Sequence, residues 1–394
     1  GYLPRRKVPA ASLKAPDAAI FTTFDAGSES RSLSTTTAMV RLLTKLLKDP
    51  EVGELIVPIV PDEARTFGMD ALFKVAGIYS PDGQRYTPVD AEALNTYREA
   101  IDGQILQEGI CEAGAIASFI AAGTAYATFA VPTIPFYIFY SMFGFQRVGD
   151  MIWASADMMA RGFLLGGTAG RTTLNGEGLQ HQDGHSPILA STVPSVRTYD
   201  PAFAWELAVL VRFGIQRMFV EDHDELFYLM MYNEALPMPA RPDHGDLDEG
   251  VVRGGYLLEP AAGGGPRVNL LGSGTILYEV MQAAAILREE GYSVAVYSVT
   301  SYVELARDAE RAEQVDAAEP AWLDTIFPEN DVPTVAATDY VRALPRMIAS
   351  WINGPFTALG TDGFGMSERR SDLRAHFKVD AASIADAARK LTAS

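Results

Sequence analysis

Residues 103–147, GQILQEGICEAGAIASFIAAGTAYATFAVPTIPFYIFYSMFGFQR, decide the fold of this chain. No charged residue occurs between Glu112 and Arg147. Residues 113–129 are rich in Ala and Gly, which is typical of a helix packed closely on all sides. Residues 134–140 form a short segment rich in Ile and aromatic side chains, which favours a buried strand. The stretch therefore predicts a helix and then a strand at the centre of a large α/β core.

The uncharged run is long enough to raise the question of a membrane span, which needs about 20 consecutive apolar residues. Gly114, Gly123, Pro132 and Pro135 divide it, however, into shorter pieces. A helix broken by prolines leaves backbone groups without partners in lipid. We therefore expect a protein core here and no contact with a membrane.

Composition narrows the class of protein further. The chain has 394 residues, which is enough for two domains of ordinary size. Its net charge of −18 argues against a nucleic-acid partner, because phosphate binding requires clustered Lys and Arg. Cys111 is the single cysteine, and no apolar segment follows the basic residues 4–7. Both features predict a cytoplasmic location.

The order of the predicted strands and helices indicates two domains, each with its own sheet. Residues 1–20 are spaced by prolines and are predicted to be a linker. Residues 236–250 are rich in Pro, Asp and Gly and mark a boundary, so we predict domains at 21–243 and 244–394. Strands alternate with helices in both, which predicts an α/β fold of two doubly wound domains with mainly parallel sheets. Within the first domain, Asp200 and Pro201 are predicted to begin a helix that runs through Phe219.

Glu112 is the first candidate functional residue. It stands four residues after Glu108, so on one helix the two would share a face. One interpretation is that Glu112 occupies a helix start, where the dipole favours a negative charge. The other is that it lies in a dry pocket and binds a partner that carries a matching proton, because an unpaired buried carboxylate costs several kcal/mol. Composition does not choose between them.

Two polar segments supply further candidates. Asp62 and Glu63 follow the apolar strand predicted at 55–60, and ligands collect at such strand ends. They suit a solvated loop about as well as a site. Residues 166–186, GGTAGRTTLNGEGLQHQDGHS, form a glycine-rich loop of a kind that is usually functional. Its His181 and His185 have a spacing that can bind zinc on a helix, but the glycines disfavour a helix there.

Long strings in this chain resemble a known family. QILQEGICEAGA at 104–115, IPFYIFYSMFGFQRVGD at 134–150 and RTTLNGEGLQHQDGHS at 171–186 are similar to the homodimeric pyruvate dehydrogenase decarboxylating component of bacteria. The resemblance extends from GYLPRR at 1–6 to GTDGFG at 360–365 and DLRAHFKVD at 372–380. It implies a middle, pyrimidine-binding domain at 21–243 and a transketolase-like C-terminal domain at 244–394.

The resemblance also implies a cofactor, thiamine diphosphate, with Mg²⁺. Glu112 matches the glutamate that contacts the aminopyrimidine ring of the cofactor, and His181 matches a histidine beside the substrate. The remaining matches are two aromatic residues that pack on the pyrimidine and two acids close to the cofactor: Tyr140, Phe143, Asp62 and Glu63. Among these, Glu112, His181 and Glu63 are expected to be catalytic.

One departure from the family stands out. The family's N-terminal domain holds the diphosphate through Mg²⁺ with a GDG sequence and a later NN pair, and no such pattern occurs here. We therefore expect the metal ligands on a missing N-terminal half, supplied in cis or in trans. The implied partners are pyruvate, a lipoyl domain of the acetyltransferase component and a second copy of the chain. Two alternatives are a catalytically silent dimerisation module and a transketolase-like enzyme that acts on sugar phosphates.

Overall fold

The described part of the chain folds around two large β-sheets, of six and five strands, and also contains two sheets of two strands each. The computed structural model describes residues 13–28, 31–61, 64–87, 89, 97–175, 177–314, 316, 319–328 and 331–393. Its strands are β1 (Ser32–Leu33), β2 (Ile56–Val60), β3 (Ile78–Tyr79), β4 (Glu99–Ala100), β5 (Leu106–Gln107), β6 (Ile134–Tyr140), β7 (Gly162–Gly167), β8 (Val196–Tyr199), β9 (Leu226–Met230), β10 (Leu236–Pro237), β11 (Tyr256–Glu259), β12 (Arg267–Gly272), β13 (Ser293–Ser298), β14 (Thr334–Ala337) and β15 (Phe356–Leu359).

Helices cover the faces of both sheets. They are α1 (Thr35–Leu46), α2 (Phe73–Ala76), α3 (Glu112–Gly123), α4 (Ala125–Thr128), α5 (Phe145–Asp157), α6 (Ser186–Ser191), α7 (Ala204–Ile215), α8 (Leu247–Arg253), α9 (Ile276–Glu289), α10 (Tyr302–Ala312), α11 (Trp322–Ile326), α12 (Ala343–Arg346), α13 (Arg370–Phe377) and α14 (Ala381–Thr392). Within the described ranges, no helix is both long enough and apolar enough to cross a bilayer.

The larger sheet has six strands in the order β5-β2-β6-β7-β9-β8, and every neighbouring pair is parallel. After β2 the chain adds β5 on one side and then β6 on the other. The order therefore reverses at β2, and the crevice at the carboxyl ends of β5, β2 and β6 is the usual ligand position of such a sheet.

The smaller sheet has the order β11-β13-β12-β14-β15. Only its edge strand β11 is antiparallel to its neighbour, and the other pairs are parallel. Helices α9 and α14 pack together against this sheet. The two sheets confirm the prediction of an α/β fold with mainly parallel sheets.

Strand β6 explains why the central sequence has no charge. Phe136 and Ile138 point into the core that contains α1 and α7, whereas Tyr137 and Phe139 point into the core that contains α3 and α5. All four side chains are at most 1% exposed. A strand covered on both faces needs apolar residues at successive positions, not at alternate ones.

The predicted helix at 113–129 is present but divided. Helix α3 ends at Gly123, and the short α4 follows after Thr124. Gly123 is required where it stands, because a Cβ there would lie 2.9 Å from the carbonyl oxygen of Arg161. The helix begins at Glu112, so Glu108 lies before it and the two glutamates do not share a helical face.

The prediction that Asp200 caps a helix is wrong. Helix α7 begins at Ala204 with Phe203 at its N-cap, and the last turns at Gln216–Val220 form a π-helix. Glu206 takes the capping role instead, because its carboxylate accepts the N–H groups of Ala202 and Phe203 at 2.7 and 2.9 Å. Asp200 is buried and accepts a hydrogen bond from the Tyr232 hydroxyl.

Candidate active site

The predicted site residues that the structure describes meet at the carboxyl edge of the six-stranded sheet. Glu112 begins α3, shortly after β5, and Tyr140 is the last residue of β6. His181 lies in the long connection that follows β7, on a short 3₁₀ turn, Leu179–His181. Asp62 and Glu63, which follow β2, lie outside the described residues. The parallel sheet brings these loops to one side because the carboxyl ends of parallel strands share an edge.

Glu112 is held at the first turn of α3. Cys111 is the N-cap, and its sulfur accepts the N–H of Gly114 at 3.4 Å. The Glu112 residue is 9% exposed, and its Oε1 lies 3.0 Å from Nη1 of Arg147. No residue in the described parts of the chain donates a hydrogen bond to its Oε2. One carboxylate oxygen is thus paired and the other remains available to a proton donor.

Arg147 joins this carboxylate to an aromatic cluster. Its guanidinium carbon lies 4.1 Å from the ring centre of Phe143, so it also makes a cation–π contact. Sequence reasoning missed Arg147. The signal was present, because Arg147 is the first charge after the long uncharged run and follows Phe143 by four residues, one helical turn.

The aromatic cluster consists of Tyr140, Phe143 and His181. The His181 ring centre lies 5.0 Å from each of the other two, which are 6.0 Å apart. Phe67 supports Tyr140 from behind at 5.1 Å. The sequence separates these residues by up to 41 positions, and the sheet brings all three predicted residues into mutual contact.

His181 carries a buried nitrogen without a hydrogen bond. Its Nδ1 is closed off from solvent, and within the described ranges its nearest charged neighbour is Glu177, at 3.9 Å. His185 has different neighbours, since its Nε2 lies 2.9 Å from the amide nitrogen of Gln146. The two histidines therefore face separate surroundings. No group of three potential metal ligands occurs in the described parts of the chain.

Asp183 fixes the histidine loop to the end of β6. It is fully buried and accepts hydrogen bonds from the Ser141 hydroxyl and, at 3.0 Å each, from the N–H groups of His185 and Ser186. Sequence reasoning missed Asp183 as well. The available signal was its position just before Ser186-Pro187, where an acid can cap the helix that follows.

The other end of the loop is anchored on the smaller sheet. Asp339, which follows β14, accepts the N–H and hydroxyl of Thr172 at 2.8 and 2.6 Å and those of Thr173 at 3.0 and 2.6 Å. Gly184 accepts the N–H of Val341 at 2.7 Å. The glycine-rich loop is therefore ordered by the second half of the chain, and both halves position His181.

The surroundings of Glu112 favour a neutral tyrosine beside it. Burial, and then the charge of Glu112, raises the pKa of Tyr137. The Tyr137 hydroxyl therefore keeps its proton and donates to the backbone oxygen of Glu112 at 3.4 Å. It helps to hold the first turn of α3 in place.

This geometry agrees with the similarity of the sequence to known families. Residues 13–239 match the pyruvate dehydrogenase E1 component middle domain, and residues 254–380 match the transketolase-like TK C-terminal domain. The chain belongs to the pyruvate dehydrogenase E1 component family. This confirms the resemblance that the sequence motifs indicated.

Members of the family from several bacteria are nearly half identical to this chain. The pyruvate dehydrogenase E1 component of Pseudomonas aeruginosa is 49% identical over 96% of this chain and 44% of its own length. That of Corynebacterium glutamicum is 48% identical over 98% of the chain and 42% of its own length, and that of Escherichia coli K12 is 48% identical over 91% and 41%. The chain thus spans less than half the length of these family members.

Solved structures show the same fold at much lower identity. Transketolase from Leishmania mexicana superimposes with a TM-score of 0.71 at 16% identity, over 96% of this chain and 48% of that one. A split-gene transketolase, described as an inactive β4 tetramer, gives 0.62 at 15% identity over 92% of this chain and 99% of that one. These likenesses establish the fold that the family shares with transketolases.

Proposed function

We propose that this chain is the middle and C-terminal part of a thiamine diphosphate-dependent pyruvate dehydrogenase E1 component. That component would decarboxylate pyruvate and pass the acetyl group to a lipoyl domain in a multienzyme complex. The observation that carries the proposal is the half-paired Glu112 carboxylate at the switch point of the sheet, beside an aromatic–histidine cluster. Family members nearly half identical along the chain support the same reaction. The single cysteine, Cys111, fits a cytoplasmic location.

The residues present fit the aminopyrimidine end of the cofactor. A ring with polar nitrogens needs a carboxylate partner and apolar faces. Glu112 Oε2 offers the first, and Tyr140 and Phe143 offer the second. When bound, thiamine diphosphate supplies an electron sink for the pair released by decarboxylation.

In this proposal Glu112 would hold a ring nitrogen of the cofactor through a hydrogen bond to Oε2, while Arg147 holds Oε1. Burial strengthens that hydrogen bond because the surroundings are less polarisable than water. Arg147 also stops the carboxylate from turning away, since the same guanidinium rests on Phe143.

His181 is the proposed substrate residue. Its Nδ1 lacks a hydrogen bond within the described structure, and its ring is fixed by two aromatic neighbours. A ring held in this way can present its other nitrogen to a substrate carboxylate without losing orientation. Asp62 and Glu63, which follow β2 in the sequence, are proposed from the resemblance alone, Asp62 as a cofactor-binding residue and Glu63 as a catalytic residue.

The described residues fit the aminopyrimidine end of the cofactor but do not provide a site for its diphosphate and Mg²⁺. Magnesium needs several oxygen ligands in octahedral geometry. The described residues contain no such cluster. We therefore retain the proposal that the metal ligands lie outside this chain, and we assign no step to the metal.

Self-association follows from the surface of α3. Apart from Glu112 and Ser118 the residues of this helix are apolar or glycine, yet Ala113, Ala117 and Ala121 are exposed along one side. Exposed Ile110 and Trp153 lie on neighbouring segments, at 72% and 51% exposure. A helix that is apolar all round is normally buried. We propose that a second copy of the chain covers this face, next to Glu112.

Two alternative functions can be distinguished from this proposal by experiment. The split-gene transketolase of the same fold is described as inactive, which supports a silent, self-associating module for this chain in isolation. A sugar-phosphate substrate has less support, because the transketolases are only 14–17% identical to this chain.

The deciding experiment supplies the missing N-terminal half and compares two substrates. We expect decarboxylation of pyruvate with reductive acetylation of a lipoyl domain, and no turnover of xylulose 5-phosphate. The chain alone should show neither activity. Turnover of the ketose phosphate in place of pyruvate would contradict the proposed function. Full activity of the chain alone would contradict the proposal that the metal ligands lie outside this chain.

A further inference from the structure

The segment that carries His181 is closed at its base by one buried side chain. This segment runs between Leu174 and Gln182, in the long connection that follows β7. Gln182 is 2% exposed, and its Nε2 donates to the carbonyl oxygen of Leu174 at 3.1 Å. The amide therefore joins the residue before the segment to the residue after it. A loop whose ends meet in this way is held as a compact unit.

The same amide binds the loop that follows β15. Its Nε2 also donates to the carbonyl oxygen of Met366 at 2.9 Å, and its Oε1 accepts the N–H of Met366 at 2.7 Å. Both amide protons and the amide oxygen of Gln182 are thus used. Gly365 permits this contact, because a Cβ there would lie only 2.8 Å from the Cβ of Gln182. Through Gln182, the second half of the chain contacts the residue next to His181.

Other contacts of this connection act outside the segment. Arg370 donates to the carbonyl oxygen of Thr173, which precedes the segment, at 2.6 Å. Asp183 accepts its hydrogen bonds from Ser141 and from N–H groups that come after it in the chain. Gln182 differs from both because its hydrogen bonds bring the two ends of the segment together. We therefore expect Gln182 to have the greatest influence on where the segment lies.

The position of the His181 ring depends on the placement of its backbone. Nδ1 of His181 has no hydrogen bond in the described structure, and the ring lies 5.0 Å from each of the rings of Tyr140 and Phe143. Those two residues lie at the end of β6 and just after it, in a different part of the chain. A movement of the His181 backbone would change its distance from both rings. A displacement of about 1 Å in an active site can cost about 100-fold in rate.

From these features we infer that Gln182 is a positioning residue for His181. It acts through the backbone of the loop and not through contact with a reacting group. Because Met366 holds the Gln182 amide, the second half of the chain takes part in placing an active-site side chain. The inference rests on the proposed function for the role of His181. Its structural part, that Gln182 keeps the segment closed, can be tested without any activity.

The first test is hydrogen exchange on the 394-residue chain. Gln182→Met keeps the length of the side chain and removes all three of its hydrogen bonds. The N–H groups of His181 and Gln182 close the short 3₁₀ turn, with acceptors at 3.0 and 3.1 Å. We expect both to exchange about tenfold faster or more in the variant, because the turn opens more often once its base is released. Unchanged exchange at these positions would overturn the inference, whether or not the proposed function holds.

Gln104→Met is the matched control. Gln104 is half-buried and also donates two hydrogen bonds from Nε2 to backbone oxygens, those of Gly53 and Ile56, at 2.8 and 3.1 Å. Its partners lie at the start of β2, on the edge of the sheet opposite to the candidate active site. This variant should lose stability in urea as Gln182→Met does. It should leave exchange in the 3₁₀ turn, and turnover, within about twofold of the wild type. Equal acceleration of exchange in both variants would overturn the inference.

The second test is a double-mutant cycle in the complete enzyme, with the N-terminal half supplied. Gln182→Met alone should lower pyruvate turnover by about tenfold or more. On a His181→Ala background it should lower turnover by less than about twofold, because a residue that acts through His181 has no effect once that ring is removed. An equal loss on both backgrounds, or no loss in the single variant, would overturn the inference. A wild-type enzyme that does not decarboxylate pyruvate would instead contradict the proposed function, and the exchange test would still decide whether Gln182 holds the segment.

Discussion

Two buried carboxylates in this molecule have opposite surroundings. Asp339 accepts four hydrogen bonds, two on each oxygen, all from Thr172 and Thr173. Glu112 has one charged partner, Arg147, on one oxygen. A carboxylate saturated by its own chain has no capacity for a ligand, whereas a half-paired one does. The comparison separates a residue that holds the structure together from one that is available for chemistry.

The largest expected effect is at Glu112. Glu112→Gln should lower pyruvate turnover of the complete enzyme by about 100-fold or more, because the amide cannot take the ring proton as a carboxylate does. Its unfolding midpoint in urea should stay close to that of the wild type, because the amide oxygen can still accept the Arg147 bond. Turnover near the wild-type value at saturating cofactor would remove Glu112 from the mechanism.

Asp339→Asn should show the reverse pattern in stability. Each oxygen of Asp339 accepts one N–H group, so an amide nitrogen at either position faces a donor. We expect the free energy of unfolding to fall by about 3 kcal/mol in urea titrations. Asp324→Asn, an exposed acid on α11, is the control and should change it by less than about 0.5 kcal/mol. Equal stabilities of the two variants would show that the four donors to Asp339 contribute little.

A substitution at His181 tests whether this residue holds the structure together, as Asp339 does, or is available for chemistry, as Glu112 is. His181→Ala should lower turnover by about tenfold to 100-fold, while thiamine diphosphate affinity and thermal stability change little. The ring makes aromatic contacts but no hydrogen bond through Nδ1, so its removal leaves no new unsatisfied partner. If cofactor affinity and melting temperature fell together, His181 would instead be a structural support of the glycine-rich loop.

Asp200 predicts a pH effect of intermediate size. Burial raises the pKa of Asp200 from 3.8 to about 7. Between these values the folded state holds a proton that the unfolded state has lost, so stability falls as the pH rises. Asp200→Asn does not titrate and should show a shallower fall in urea midpoint between about pH 5 and pH 8. Parallel curves for variant and wild type would contradict the assignment.

The smallest expected effect is at the helix cap beside Glu112. Cys111→Ser replaces a weak sulfur acceptor with a hydroxyl oxygen, which is a better N-cap. We expect a gain of about 0.5 kcal/mol in the free energy of unfolding, measured by urea denaturation. A loss of stability would indicate that packing of the sulfur outweighs the capping bond.

The core of the site could be predicted because it follows long, ordered motifs. The strand at 134–140 was predicted with the limits that the structure shows, because an uninterrupted apolar run bounded by prolines and glycines favours a buried strand. Glu112, Tyr140, Phe143 and His181 were proposed as one site from the resemblance, and the structure brings them together. Their chemical roles remain predictions, as do the domain limits at 243 and 244.

The errors come from interactions between distant parts of the chain. Asp200-Pro201 has the local pattern of a helix start, but Asp200 bonds Tyr232 and contacts the turn at Gly274 in the second half of the chain. Arg147 and Asp183 stand at noticeable positions in the sequence, but their distant partners could not be predicted. Arg147 pairs with Glu112, 35 residues away, and Asp183 accepts from Ser141, 42 residues away, and local spacing does not identify such partners.

The all-parallel order of the six-stranded sheet also determines how the chain must acquire its structure. No two of its neighbouring strands can form as a local hairpin, because parallel strands need a crossover between them. Ile56 on β2 meets Ile134 on β6 only after the intervening segment has been placed. Such long-range contacts slow folding. Refolding from denaturant should be slow. The apolar β6 should be the segment most prone to aggregate, because it stays exposed until its neighbouring strands pair with it.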